Sequence, residues 1–198
     1  MKNKILLGFA ALAMVAFLSS CGKAPQAQID ATNAAIDSAK VLQADVYVPA
    51  EFAAVQDSMK IIMTDVEAQK SKLFKKFGPA KVKLDVALGL AKKVQTDAVA
   101  KKEEVKKQVE TLLADTKKVA EENTKLMKRA PRGKEGAQVL EAMKTEMATC
   151  ETSCTDAQAL YDKGSYMDAF NKVKAAKETA DKINVDLKAA IKKVGGKI

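Results

Sequence analysis

Cys150 and Cys154 stand one helical turn apart, and Met143 and Met147 continue the same line toward the N-terminus. Three kinds of chemistry fit this spacing. Two small sulfur side chains on an apolar helix face serve as core residues. In an oxidising compartment the pair becomes a disulfide, although parallel Cβ vectors at i,i+4 would strain the turn. With the two methionines the thiols also make a soft ligand set of the kind that suits a cuprous ion. Elsewhere catalytic chemistry is sparse. The chain has no histidine, which removes the usual general base and the commonest transition-metal ligand. No glycine-rich phosphate loop occurs, and carboxylate pairs such as Glu103-Glu104 and Glu121-Glu122 are adjacent, so they do not share a helix face. An enzyme is not expected, and no cofactor or metal site is assigned.

The second chemically distinctive feature is charge. Lys70, Lys72, Lys75, Lys76, Lys81 and Lys83 surround Gly78-Pro79 with no acid between Glu67 and Asp85, and Lys188, Lys192, Lys193 and Lys197 crowd the C-terminus. The first cluster is the candidate anion-binding set. Its alternative is a solvated turn that keeps a helical protein soluble.

The elements that must carry these residues follow from proline, glycine and periodicity. Pro25, Pro49, Pro79 and Pro131, with Gly78, Gly133, Gly164, Gly195 and Gly196, punctuate the chain. Proline favours the first turn of a helix and glycine the position past its end. Five helices are expected, over about 26–46, 50–77, 79–130, 134–163 and 166–194. The second carries a line through Phe52, Val55, Met59, Ile62, Val66, Gln69 and Leu73, and the last a similar one through Tyr166, Ala169, Val173, Ala176, Ala180, Ile183, Leu187 and Val194. In the third, Leu84, Ala91, Ala98, Val105, Leu112, Val119 and Leu126 repeat at seven-residue spacing, with Asn123 as a polar member of the adjoining line. That repeat implies supercoiled packing. Ala87, Leu90 and Val94 widen its N-terminal half, which should sit among several helices, while the C-terminal half needs one neighbour. At 1.5 Å rise the helix would be about 78 Å long. The expected fold is all-α, an elongated antiparallel helical bundle with coiled-coil character. Two hairpin regions are expected, 26–130 and 131–198; the helix that Pro49 opens and Gly78 ends and the helix that Pro131 opens and Gly164 ends are each followed by a further heptad helix, which suggests one hairpin used twice, about 80 residues apart.

The N-terminus sets the compartment. Lys2 and Lys4 precede an apolar run from Ile5 to Phe17, shorter than the ~20 residues that span a bilayer, and Leu18-Ser19-Ser20-Cys21 follows. This order resembles the signal peptide and lipobox of bacterial lipoproteins. The resemblance implies a signal peptide over 1–20, lipid on Cys21 as the new N-terminus, and a linker over 21–25. Two or more acyl chains anchor stably where one does not. Gly22 and Lys23 lack the aspartate that retains some lipoproteins in the inner membrane, which implies an outer-membrane anchor facing the periplasm in a Gram-negative source. Removal of Lys2 and Lys4 lowers the net charge from +9 to +7.

Two further resemblances concern the body. Ala44-Asp45-Val46-Tyr47-Val48-Pro49-Ala50-Glu51-Phe52 is similar to the Tyr-Ala-Pro-x-Glu-Leu opening of an uncharacterised family of short helical alanine-rich envelope lipoproteins. Gly164-Ser165-Tyr166-Met167-Asp168-Ala169 is similar to its Gly-Asp-Tyr-x-x-Ala hallmark, with Val48 and Ser165 departing from the pattern. The segment from Ala157 to Phe170 also resembles the turn of a tetratricopeptide repeat. The expected partners are a membrane, through the lipid, and an anionic envelope polymer or an envelope protein. Nucleic acid conflicts with export and with the few aromatics available for stacking. A lipid-anchored spacer or tether is the expected function. The alternative is an interaction module, an accessory subunit of an envelope machine that uses the Gly164 hairpin. Replacing Cys21 with Ser should leave an unprocessed, unlipidated precursor. Processing and membrane fractionation identical to the wild type would contradict the lipoprotein reading.

Overall fold

The computed structural model describes residues 22–195, apart from the side chains of Lys134 and Glu135. Cys21, the signal segment before it and Lys197 lie outside the described residues. The fold is all-α: α1 (Gln26–Val41), the single turn α2 (Ala44–Tyr47), α3 (Pro49–Lys70), α4 (Gly78–Arg129), α5 (Lys134–Asp162) and α6 (Tyr166–Lys193). The first expected helix is thus two. Its break falls at Gln43, whose φ of 62° is left-handed, and the Gln43 carbonyl then accepts from the N–H groups of Val46 and Tyr47 to start α2. Nothing in the periodicity marks that site, because the glutamine adopts a conformation that usually selects glycine.

The chain packs as two compact units, one ending at Lys101 and the other beginning at Lys102. The division lies inside α4, whereas proline and glycine had suggested a divide at Pro131. Backbone punctuation marks where a helix stops, and a helix that does not stop can still change neighbours.

In the first unit α1, α3 and the N-terminal half of α4 form a three-helix bundle. Lys83 pairs with Asp65 at 2.6 Å and Glu51 acts electrostatically on Lys93, so α4 advances as α3 recedes and the two are antiparallel. Gln28 donates to Asp85 at 2.7 Å and Gln95 to the Ala35 carbonyl at 2.7 Å, which makes α1 and α4 parallel. The core sets large side chains on α3, among them Phe52, Met59 and Ile62, against small ones on α4, Ala80, Ala87, Ala91 and Ala98. Alanines there let the helix backbones approach while the larger residues fill the space between them.

The second unit has the same up-down-up order. Asn123 of α4 donates to the Ala180 carbonyl at 2.8 Å and accepts from Asn184 Nδ2 at 2.8 Å, while Lys102 and Lys106 lie over Tyr166, so α4 and α6 run in the same direction. Lys172 of α6 pairs with Asp156 of α5 at 2.8 Å, and Cys150 approaches the Ala176 carbonyl, which sets α5 and α6 antiparallel. The C-terminal half of α4 therefore has two helical neighbours rather than the expected one. Leu126, Met147, Ile183, Leu187 and Ile191 join in one cluster. Val194, expected at the end of the α6 line, is exposed, and Ile191 closes that line instead.

The heptad line of α4 is buried at Leu84, Ala91, Ala98, Val105 and Leu126, but its companion changes. In the first unit the buried partners are Ala87 and Val94, three residues on from a heptad position; in the second they are Val109, Thr116, Asn123 and Ala130, four residues on. Within the first unit Leu90, which the three-residue companions leave outside, is exposed. Thr116 resolves its buried hydroxyl by donating to the Leu112 carbonyl at 2.6 Å, and no buried side-chain polar atom among the described residues lacks a partner.

Two glycines give opposite expectations. Gly164 ends α5 with φ +80°, and nothing lies within 4 Å of where a Cβ would stand, so alanine there meets backbone strain alone. Gly89 is inside α4, again with open space around it. Gly164→Ala should lower stability by about 1 kcal/mol, since left-handed backbone is costly for an L-residue. Gly89→Ala should raise it by about 0.5–1 kcal/mol through helix propensity. Urea denaturation followed by circular dichroism measures both; the same sign for the two would contradict these backbone assignments.

Candidate functional site

The basic cluster gathers at the connection between α3 and α4. Val66 is the last buried residue of α3, and like-charged Lys72, Lys75 and Lys76 would meet at three- and four-residue spacing if the helix continued. It stops instead at Lys70. The Ser71 and Lys72 N–H groups donate back to Glu67 and Gln69 carbonyls, and Gln69 Oε1 accepts from the Lys76 N–H at 3.3 Å. Phe77 then turns inward, 1 % exposed, and joins Val66, Ala80 and Leu84 in the core. Its carbonyl accepts from the Lys81 N–H to open α4. The loop 71–77 is therefore fixed at one end by the last turn of α3 and at the other by a buried aromatic ring.

Within this tip the six lysines divide. Lys70 pairs with Glu67 at 2.7 Å, and Lys83 with Asp65 at 2.6 Å. Lys72, Lys75 and Lys76 are exposed and Lys81 is half-buried, and these four form no ion pair with any described residue. The first turn of α4 contains no acid, so lysine charge adds to the positive end of the helix dipole where carboxylates are usually favoured. Three such cations on a small loop and a fourth in the first turn of α4 raise the local potential, and an anion bound there would lower it.

Sequence periodicity missed what lies between the lysines. Leu73, expected on the apolar line of α3, is 91 % exposed, and Phe74 beside it is 81 % exposed. Leu73 follows Gln69 by four residues and so fits a helical line, but the helix that would turn it inward ends three residues earlier. The detectable signal was compositional: an aliphatic and an aromatic residue flanked on both sides by lysine. A separate apolar groove of about 290 Å³ between α3 and α4 collects the exposed Ile61, Val82, Val86 and Leu90.

The second unit holds the thiols. Cys150 is buried, Cys154 is half-buried, and both are free, so the proposed disulfide is not formed in this structure. Burial pushes both thiols above their ordinary range, with Glu151 adding to the effect on each and Glu146 to that on Cys150. Neutral, poorly nucleophilic sulfur results. Met147 packs in the core beside Leu126 and Ile183, while Met143 is partly buried against that cluster. Among the described residues no group of three or more cysteine, aspartate or glutamate side chains could hold a metal ion.

At the Gly164 hairpin Tyr161 and Tyr166 pack with ring centroids 5.1 Å apart at 55°, and Tyr161 donates its hydroxyl to Glu110 of α4. These rings lock the hairpin onto α4. At the far end Lys188 pairs with Glu122 at 2.8 Å, and that hydrogen bond holds the Glu122 carboxyl below its ordinary value. Lys192 and Lys193 are exposed beyond it. No described helix is long and apolar enough to cross a membrane.

No protein-family model, curated protein or solved structure matches this chain. Its candidate sites therefore rest on their own geometry.

The hydrogen bond to Glu110, aided by desolvation and the carboxylate charge, pushes the Tyr161 phenol up to about 12. Losing that proton would both remove the bond and set two negative charges side by side. Of the three tyrosines in the chain, Tyr161 should be a late-ionising one in an absorbance titration of phenolate. Glu110→Gln should return it toward the ordinary value of about 10. A titration curve unchanged by that substitution would contradict the contact.

Proposed function

We propose that this chain is a non-enzymatic, lipid-anchored protein of the bacterial cell envelope that acts as a tether: Cys21 carries the membrane anchor, and the α3–α4 tip engages an anionic component. The carrying observation is the set Lys72, Lys75 and Lys76 on the loop pinned by the buried Phe77 and Lys81 in the first turn of α4, four cations without acid partners among the described residues. A merely solvated helix face would intersperse its charges, as Asp57 and Lys60 do on α3. The envelope offers polyanions in lipid head groups, lipopolysaccharide phosphates and wall polymers. Export is supported by the charged start, the apolar run and Leu18-Ser19-Ser20-Cys21.

The tip's chemistry is binding rather than turnover. Lysine ammonium groups act as flexible point charges with three donors each, suited to many phosphate arrangements rather than to one fixed geometry. Affinity should therefore fall as salt screens the charges. Each lysine near an anionic surface contributes ~1 kcal/mol, so replacing Lys72, Lys75, Lys76 and Lys81 with Glu should weaken binding to isolated envelopes by on the order of a thousandfold. Salt dependence should vanish with it, while circular dichroism shows the helices intact. Unchanged, salt-sensitive binding in this variant would remove the tip from the function.

A further inference from the structure

We propose that the α3–α4 tip inserts into the interfacial layer of an anionic lipid bilayer, with Leu73 and Phe74 entering the acyl boundary and the flanking lysines contacting phosphate head groups. The inference rests on the polyanion-binding reading of the tip and names which polyanion it is. A purely electrostatic partner accounts for the lysines and leaves two large apolar side chains in water. Leu73 is 91 % and Phe74 81 % exposed on adjacent positions of a loop whose next ring, Phe77, is buried. The sequence had apolar residues to spend on the core here and spends only Phe77.

The order Lys70-Ser71-Lys72-Leu73-Phe74-Lys75-Lys76 sets the apolar pair between cations on both sides. That arrangement matches a membrane interface, where an apolar wedge sinks below the phosphates while lysine stems run along it and keep their ammonium groups at phosphate level. A dissolved polyanion has no apolar layer to receive the wedge. A protein partner could bury Leu73 and Phe74, but lysine is depleted in protein interface cores, whereas an anionic bilayer supplies both required environments in one surface. Pinning by Phe77 and by the Gln69–Lys76 hydrogen bond limits the conformational freedom lost on insertion. The groove of Ile61, Val82, Val86 and Leu90 lies along the helices rather than on the loop and is not needed.

The chain has no tryptophan, so Phe74→Trp in the chain from residue 22 onward, which contains every core residue found among the described residues, places one fluorescent reporter at the tip. Phosphatidylcholine vesicles with and without phosphatidylglycerol, brominated lipids and soluble polyphosphate are the probes. Insertion should shift the emission of this introduced indole to the blue and allow bromolipid quenching with the anionic vesicles alone. Adding Leu73→Ser should lower partitioning by about tenfold at unchanged charge, as expected for loss of one buried aliphatic side chain. Water-like, unquenched indole emission on a chain that binds anionic vesicles and polyphosphate alike overturns insertion but leaves the basic tip standing. A blue shift without vesicles, with self-association in sedimentation, overturns it in favour of a second copy of the chain. Binding to neither vesicles nor polyphosphate overturns both the insertion and the basic-tip reading.

Discussion

Burial of the apolar face of each half of the uninterrupted helix α4 is the constraint on which the rest of this structure depends. A helix of 52 residues gains little from its own charged pairs, which contribute ~0.2–0.5 kcal/mol each. Tertiary packing of its apolar face must supply the rest. The N-terminal half meets α1 and α3, and the C-terminal half meets α5 and α6. Both units solve the problem in the same way, with one parallel and one antiparallel neighbour, and in both an amide side chain of α4 donates to a backbone carbonyl of the parallel helix: Gln95 to Ala35 and Asn123 to Ala180. Such contacts tie direction and register together, because sliding a helix by one turn would strand the amide.

That packing leaves the α3–α4 connection as the place where chemistry is released from structural duty. Cys150, Met147 and the tyrosines near Gly164 are engaged inside the second unit. The lysines of the loop 71–77 have no such engagement, and neither do Leu73 and Phe74. A loop whose ends are fixed by Lys70 and Phe77 can present these side chains without loosening the core. The proposed binding therefore needs no conformational change in the bundle, and substitutions on the loop should be read as effects on binding rather than on folding.

Much of this was legible in the sequence, for reasons that can be named. Pro49 and Gly164 bounded helices because φ preferences are local. The buried residues of α3 from Phe52 to Val66, and those of α6 from Ala169 to Leu187, followed their heptad spacing. Leu73 shows where this reasoning runs out. Its spacing continued the line beyond Lys70, where α3 itself ends, and periodicity carries no information about where a helix stops. Gln43 is a second case, since a left-handed glutamine leaves no compositional trace. The change from three- to four-residue companions on α4 is a third. The apolar letters at Leu88 and Val109 look alike, and only the number and placement of neighbouring helices decide which side of the heptad line is covered.

Photo-crosslinking in intact cells addresses the central claim, that the α3–α4 tip is the working end of this protein, most directly. A photoreactive residue would replace Phe74 in one strain and Lys60, exposed partway along α3, in another. Lipid or another anionic envelope component should be captured from position 74 and not from position 60. Equal capture from both positions, or none from position 74, would contradict it.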